Sequence, residues 1–194
     1  KLSYEGPFGV GYGICCYRTA GKDPSRNFRF QYEEKQKAAL LKQRDKEDSY
    51  IRLARKTIET YILNGKILDL PKNIDQEMTA QKAGVFVSIK EDGRLRGCIG
   101  TIQAVQDSIA EEIIANAVSA STKDPRFSPI EPWELERLSI SVDVLGEKEK
   151  IASPDQLDPT RYGVIVTKGR KRGLLLPNLE GIDTVEDQIA IAKR

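Results

Sequence analysis

Residues 85–102 read VFVSIKEDGRLRGCIGTI, and this stretch decides the fold. Apolar residues alternate with others over residues 85–89, as in a strand with one buried face. The Asp92-Gly93 pair suits a type I′ turn, so residues 95–102 are expected to return as the paired strand. Because a two-residue turn joins antiparallel strands, we expect an antiparallel sheet.

The sequence on either side of this hairpin predicts further strands and helices from its hydrophobic periodicity. The expected strands cover residues 138–144, 162–167 and 173–176, the last two as a second hairpin. The expected helices cover residues 31–63 with a break near 45–48, residues 108–121, and the residues from 183 onward. Hairpin-connected strands flanked by helices indicate the α+β class.

The composition excludes several classes of protein and site. Hydrophobic residues make up 39% of the 194 residues and charged residues 31%, which excludes wholesale disorder. No run of about 18 apolar residues is present, so no membrane association is expected. The chain has no histidine, and a site built from it alone cannot use imidazole as a metal ligand or general base.

Cysteine usage indicates a reducing compartment. The three cysteines are Cys15, Cys16 and Cys98, and an odd number with one adjacent pair makes a poor disulfide framework. We therefore expect a cytoplasmic protein. Three thiols without imidazole also make no regular zinc site, so no metal ligand is expected in this chain.

Basic residues are concentrated in the first third of the chain. Residues 18–56 hold 12 basic and 6 acidic residues, whereas the net charge of the whole chain is +2. The acidic residues are interleaved at helical spacing, which favours a solvated helix face with i,i+4 ion pairs. A nucleic-acid partner is therefore the less favoured interpretation, and an RNA-linked role through this segment and residues 168–172 stays open as a third hypothesis.

The strongest candidate site lies in residues 95–100, LRGCIG. Two glycines within a strand are costly unless a backbone or a ligand approaches closely, which singles out Gly97 and Gly100. Cys98 lies between them, and the cations Arg94 and Arg96 would favour its thiolate form. Two interpretations stay open: a reactive thiol or ligand-facing turn, and a small packing cysteine with glycines that permit close contact.

Two loops supply further candidates. In residues 124–127, Arg126 could hold an anion or a carboxylate of its own chain, and Phe127 is expected to anchor the loop in the core. The tip of the second hairpin, residues 168–172, carries four cations around one glycine. This tip could bind phosphate, although a solvated hairpin end explains the same composition.

These motifs together resemble one known family. The shared motifs are Gly84-Val85-Phe86-Val87, LRGCIG at 95–100, Asp124-Pro125-Arg126-Phe127 and Gly173-Leu174-Leu175-Leu176-Pro177. Over about residues 48–194 the chain resembles the AMMECR domain family. With LEGIDTVE at 179–186 it is most similar to the AmmeMemoRadiSam group within that family. The resemblance implies an antiparallel sheet flanked by helices with a smaller second lobe, and it implies no established reaction.

The resemblance also implies a domain organisation. Residues 1–18 are similar to the end of a class III extradiol dioxygenase-like (Memo-like) domain, residues 19–47 form a linker and helix, and residues 48–194 form the AMMECR domain. Because the chain opens at Lys1, we expect a fragment or a processed product. No cofactor is expected in these residues, and any iron of a dioxygenase-like domain would lie upstream.

The function that the resemblance implies is binding or scaffolding in a system with Memo-like and radical-SAM proteins, which tend to be encoded alongside. The alternative is an enzyme, either with Cys98 as its nucleophile or as part of a dioxygenase-like protein whose metal ligands lie upstream. The candidate groove residues are Arg96, Gly97, Cys98, Gly100, Asp124, Arg126 and Phe127.

Overall fold

The computed structural model describes residues 3–5, 12–16, 18, 21, 23, 25–179 and 181–193. The chain divides into two compact units, residues 1–145 and residues 146–194. Helices and antiparallel sheets occur together, which confirms the predicted α+β class. The interpretation of residues 1–18 as the end of another domain falls largely outside the described residues.

The first unit is built around a three-stranded antiparallel sheet. Its strands are β3 (Val85–Glu91), β4 (Arg94–Gly100) and β5 (Leu138–Val144), in the spatial order β4-β3-β5. A separate short pair contains β1 (Ser3–Glu5) and β2 (Tyr12–Ile14). The helices are α1 (Phe28–Arg44), α2 (Ser49–Asn64), α3 (Gln76–Ala80) and α4 (Ile109–Thr122). A 3₁₀ helix at Pro132–Arg137 leads into β5.

The β3–β4 hairpin has the turn that its sequence predicts. Asp92 and Gly93 have φ angles of 49° and 78°, and a type I′ turn requires both to be positive. The returning strand places Cys98 directly opposite Ser88. The hairpin prediction is therefore confirmed, and it fixes which residues face the candidate thiol.

The break between α1 and α2 occurs where the sequence provides a cap. Asp48 accepts a hydrogen bond from the N–H of Ile51 at 2.9 Å and caps the start of α2. Gly65, with a φ of 65°, ends the same helix in the left-handed conformation. α1 buries none of its residues, and Arg29 and Glu33 form an exposed i,i+4 ion pair on it, as the charge pattern predicts.

One face of the main sheet packs against α2 and α4 and forms the core. The side chains of Val85, Val87 and Ile89 in β3 are fully buried there. The helices contribute buried apolar side chains, among them Leu53, Ala54 and Ile58 of α2 and Ile113 and Ala117 of α4. Because side chains alternate along a strand, other residues point to the opposite face. We call this the distal face; it carries Phe86, Ser88, Cys98, Ser141 and Asp143.

The second unit is the smaller of the two. β6 (Val164–Lys168) and β7 (Lys171–Leu175) form an antiparallel hairpin against which α5 (Val185–Ala192) packs. A Cβ on Gly173 would lie 1.6 Å from the carbonyl oxygen of Ala192, so glycine permits this packing. The hairpin tip, residues 168–172, is exposed, and none of its cations forms an ion pair with a described residue.

Candidate functional site

Gly97 and Gly100 are required by close contacts within the chain. A Cβ on Gly97 would lie 2.2 Å from the carbonyl oxygen of Ala120 in α4. A Cβ on Gly100 would lie 2.2 Å from the ring of Phe86. Both distances are far shorter than van der Waals contact, so a larger residue would displace backbone or ring. The glycines therefore let β4 lie against α4 on one face and beneath Phe86 on the other.

The outer edge of β4 is held by the loop that follows α4. The N–H of Cys98 donates to a carboxylate oxygen of Asp124 at 2.8 Å, and Nη2 of Arg126 donates to the Cys98 carbonyl at 3.2 Å. Arg126 also donates to Asp124 through Nε at 3.0 Å and Nη2 at 2.8 Å. We call Asp124, Arg126 and the Cys98 backbone the edge clamp. It satisfies backbone groups that an edge strand otherwise leaves unpaired.

The edge clamp determines the charge of Asp124. Hydrogen bonds from the Arg126 side chain hold the pKa of the Asp124 carboxyl well below its ordinary value. Burial opposes this shift, and the N–H of Cys98 adds to it. The same contact raises the pKa of Arg126. Asp124 is therefore a charged hydrogen-bond acceptor at neutral pH and has no proton to donate.

The Arg96 side chain donates hydrogen bonds to the segment between α4 and β5. Its Nε and Nη2 donate to the Glu134 carboxylate at 2.7 and 3.0 Å, and Nη1 and Nη2 donate to the carbonyls of Ser128 and Pro129. Burial raises the pKa of Glu134, but hydrogen bonds from Arg96 and from the N–H of Glu131 outweigh it and lower the pKa overall. Arg96 thus fastens β4 to residues 128–134.

The Cys98 side chain lies on the distal face and is half-buried. Its Sγ accepts a hydrogen bond from the Ser88 hydroxyl at 3.2 Å, the only such bond that Sγ makes with a described residue. Ser141 lies on the other side of Ser88 in the sheet. A general base must lie within hydrogen-bond reach of the proton that it removes, and a serine hydroxyl is not a base. The hydrogen bond that Sγ makes with a described residue therefore comes from a hydroxyl and not from a base.

Arg126 is the charged member of the predicted groove that stays accessible. Its side chain is 54% exposed, and its Nη1 makes no hydrogen bond with a described residue. Its guanidinium lies over the ring of Phe127, 5.5 Å from the centroid. Phe127 is half-buried and supports Arg126 there, whereas the sequence had suggested a core anchor. An exposed guanidinium with a free donor can bind an anionic group.

A buried carboxylate that the sequence pattern did not reveal holds the loop after β4. Glu112 of α4 is 1% exposed and accepts hydrogen bonds from the N–H groups of Val105 and Gln106 and the hydroxyl of Thr101. Burial raises the pKa of Glu112, but these hydrogen bonds outweigh it and lower the pKa overall. The available signal is the i,i+4 spacing of Glu112 and Asn116 within an apolar helix, since the two side chains also bond to each other.

The chemistry of the candidate site is that of a thiol, hydroxyls and an arginine. Within the described ranges, no group of three or more cysteine or acidic side chains is placed to hold a metal ion. Over the same residues, no helix is long and apolar enough to cross a membrane.

The chain is similar to known proteins over most of its length. Residues 51–194 match the AMMECR1 family. A protein of Clostridium acetobutylicum is 49% identical over 192 residues, which are 98% of this chain and 40% of that protein. The chain thus spans less than half the length of that relative. A Thermotoga maritima protein is 46% identical over 148 residues, covering 76% of this chain and 85% of that protein.

A solved structure shares the fold. The crystal structure of an uncharacterised protein from Pyrococcus horikoshii has a TM-score of 0.62 and 36% sequence identity, and the match covers 66% of this chain and 67% of that one. The family match includes the LRGCIG motif at 95–100 and the Asp124-Pro125-Arg126-Phe127 motif. The chain belongs to the AMMECR1 family.

Proposed function

We propose that this chain is the binding or scaffold domain of an AmmeMemoRadiSam system protein A, and that it presents the surface around Cys98 and Arg126 to a partner. The observation that carries the proposal is which charged side chains of the predicted groove are paired within the chain and which keeps a free donor. Arg96 and Asp124 hold the chain itself together, while Arg126 keeps a free donor at the edge of the strand that carries Cys98.

The proposed partners are the Memo-like and radical-SAM proteins to which the resemblance points. A scaffold surface has to keep its shape when a partner binds, because ordering a mobile surface costs binding free energy. The edge clamp and the close contact of Gly97 with α4 hold β4 in one position. The surface offers the hydroxyls of Ser88 and Ser141, the thiol of Cys98 and the guanidinium of Arg126.

Ser141→Trp is expected to weaken binding to a purified Memo-like or radical-SAM protein by about tenfold or more. The reason is that Ser141 is exposed on the distal face beside Ser88, where an indole ring would cover the neighbouring hydroxyl and obstruct the approach of a partner. Isothermal titration calorimetry measures the dissociation constants.

Ala104→Trp is the matched control for this experiment, because Ala104 lies in an exposed loop and receives the same ring. It is expected to bind as the unchanged chain does. Equal affinities for Ser141→Trp and Ala104→Trp, or no binding of either partner by the unchanged chain, would contradict the proposed function.

Catalysis through Cys98 is the second candidate function, favoured by a free thiol between two glycines that make close contacts. Nucleophilic cysteines are activated by an adjacent base or cation. The hydrogen bond of Sγ comes from the Ser88 hydroxyl, which is not a base. Both neighbouring cations are engaged, because Arg96 pairs with Glu134 and Arg126 pairs with Asp124. Asp124 and, to a smaller extent, the Cys98 side chain raise the pKa of Arg126. We therefore rank catalysis below binding. A dioxygenase-like activity of a longer parent protein would rest on metal ligands outside this chain.

In a Cys15→Ser, Cys16→Ser background, Cys98 is expected to react with a thiol reagent at least about tenfold more slowly in the folded chain than in urea. The physical reason is that Cys98 is half-buried and bonded to Ser88. Absorbance of the released thiolate measures both rates. Labelling of the folded chain that is faster than labelling in urea would favour the catalytic function.

A further inference from the structure

The tip of the second hairpin differs from the other basic region of the chain. Residues 168–172, which we call the basic tip, read KGRKR and are exposed throughout. None of these four cations forms an ion pair with a described residue. In α1, by contrast, acidic residues are interleaved with the basic ones, and Arg29 pairs with Glu33 at 2.8 Å. The cations of the basic tip therefore keep their donors for a partner.

Like charges lie close together in the basic tip. Lys168 is directly opposite Lys171 in the register of β6 and β7. Lys148, from the segment before β6, lies near Arg172, since desolvation and the charge of Arg172 both lower the pKa of Lys148. Like charges directly opposite one another destabilise paired strands. A bound polyanion would remove this repulsion.

The cations lie on both faces of a narrow two-stranded ribbon. Gly169 and Arg170 form its two-residue turn, and Gly169 has a φ of 61°, as the first residue of a type II′ turn requires. Because side chains alternate along a strand, Lys171 points to the same face as Gly173, which is the face that packs against α5. Arg172 points to the opposite face. A partner that binds both side chains has to reach both sides of the ribbon.

We propose that the basic tip binds double-stranded DNA by entering the major groove, with phosphates of the two strands beside its two faces. The major groove of B-form DNA is about 12 Å wide and admits a two-stranded β-ribbon. Contacts of lysine and arginine with phosphates carry no sequence information, so we expect little sequence preference. The proposal concerns the second unit alone and does not depend on the function proposed for the surface around Cys98.

The shape of the basic tip favours a duplex over other anionic partners. A flat membrane surface would meet only one face of the ribbon. Proteins that bind single strands stack the bases on aromatic side chains, and residues 167–172 contain none. The major groove of duplex RNA is too deep and narrow for side chains to enter. Small ligands bind in concave sites, whereas the basic tip is an exposed hairpin end.

Fluorescence anisotropy of a labelled DNA duplex measures binding by the 194-residue chain. With about four phosphate contacts, we expect a micromolar dissociation constant at about 50 mM salt and an affinity roughly 100-fold lower at about 200 mM salt. The reason is that each neutralised phosphate releases counterions. Absence of binding at the lower salt concentration, or an affinity that does not change with salt, would overturn the proposal.

Lys171→Gln combined with Arg172→Gln removes one cation from each face of the ribbon. We expect the double variant to bind DNA about tenfold more weakly at low salt, with a salt dependence smaller by about two phosphate contacts. Both side chains are exposed, and their loss relieves the repulsion from Lys168 and Lys148, so the change does not impair folding.

Lys35→Gln combined with Lys37→Gln is the matched control, because it removes the same charge from exposed positions of α1. The control is expected to bind DNA as the unchanged chain does. Equal losses in the two double variants would overturn the proposal, since the net charge of the chain would then be what attracts DNA.

Three competing ligands test the choice of partner: the single-stranded form of the same DNA, duplex RNA of the same sequence, and vesicles that contain phosphatidylserine. Each is expected to bind the chain at least about tenfold more weakly than the DNA duplex does. Binding of any of them that equals or exceeds binding of the duplex would overturn the major groove as the site that the basic tip enters.

Discussion

Gly97→Ala is expected to cost the protein about 3 kcal/mol of unfolding free energy. The added methyl group would lie 2.2 Å from the carbonyl oxygen of Ala120 and 3.2 Å from its carbonyl carbon. Both atoms belong to the backbone of a helix whose buried face packs against the sheet, so neither can turn aside as a flexible side chain would. Urea unfolding followed by far-ultraviolet circular dichroism measures the loss.

Gly146→Ala provides the matched control for this substitution. A Cβ on Gly146 meets no atom within 4 Å, and its φ is not in the left-handed region. The control is expected to leave stability unchanged or to raise it by up to about 1 kcal/mol, because alanine restricts the unfolded chain. Equal stabilities for the two variants would show that β4 does not depend on glycine for its approach to α4.

The elements that the sequence predicted correctly depend on local signals. The Asp92-Gly93 turn, the Asp48 cap and the Gly65 cap each follow from the conformational preference of one or two residues. The alternation in β3 and β5 follows from one buried face. α3 was not predicted, since five residues are too few for a helical period to be recognised.

The roles of the candidate site residues could not be predicted in the same way, because they depend on long-range contacts. Arg96 pairs with Glu134, which is 38 residues away, and Asp124 binds the backbone of Cys98 from 26 residues away. A sequence shows that such charges are present but not which of them are paired within the chain. The two glycines indicated that another element approaches β4 closely. Only the structure shows that this element is α4 at Gly97.

Asp124→Asn is expected to lower the unfolding free energy by about 2 kcal/mol at pH 7, the scale of a hydrogen bond to a charged group. The amide can still accept the N–H of Cys98, but it cannot accept two hydrogen bonds from Arg126 as a carboxylate does. Because Arg126 is half exposed, its charge is solvated after the change, which keeps the cost below that of a fully buried pair. Urea unfolding of both proteins measures the difference.

The pH dependence of the unfolding free energy distinguishes the contribution of the Asp124 charge from that of the side-chain shape. The pKa of this carboxyl is lowered in the folded chain by Arg126, so the folded state binds the proton less readily than the unfolded state does. The stabilisation is therefore complete above the unfolded pKa of about 3.9 and is lost as the pH falls below it. The asparagine does not titrate. The difference in unfolding free energy between the unchanged chain and Asp124→Asn should therefore become smaller as the pH falls from about 5 to below about 3.9.

Asp107→Asn is the control that makes this result specific to the edge clamp. Asp107 also forms an ion pair, with Lys82 at 2.7 Å, but its side chain is 92% exposed. Solvent screens such a pair, so its removal is expected to leave the unfolding free energy almost unchanged at every pH. If Asp107→Asn and Asp124→Asn had the same effect, the Asp124–Arg126 pair would be an ordinary surface ion pair. The β4 edge would then be held by the backbone of the hairpin and by Arg96, and not by the edge clamp.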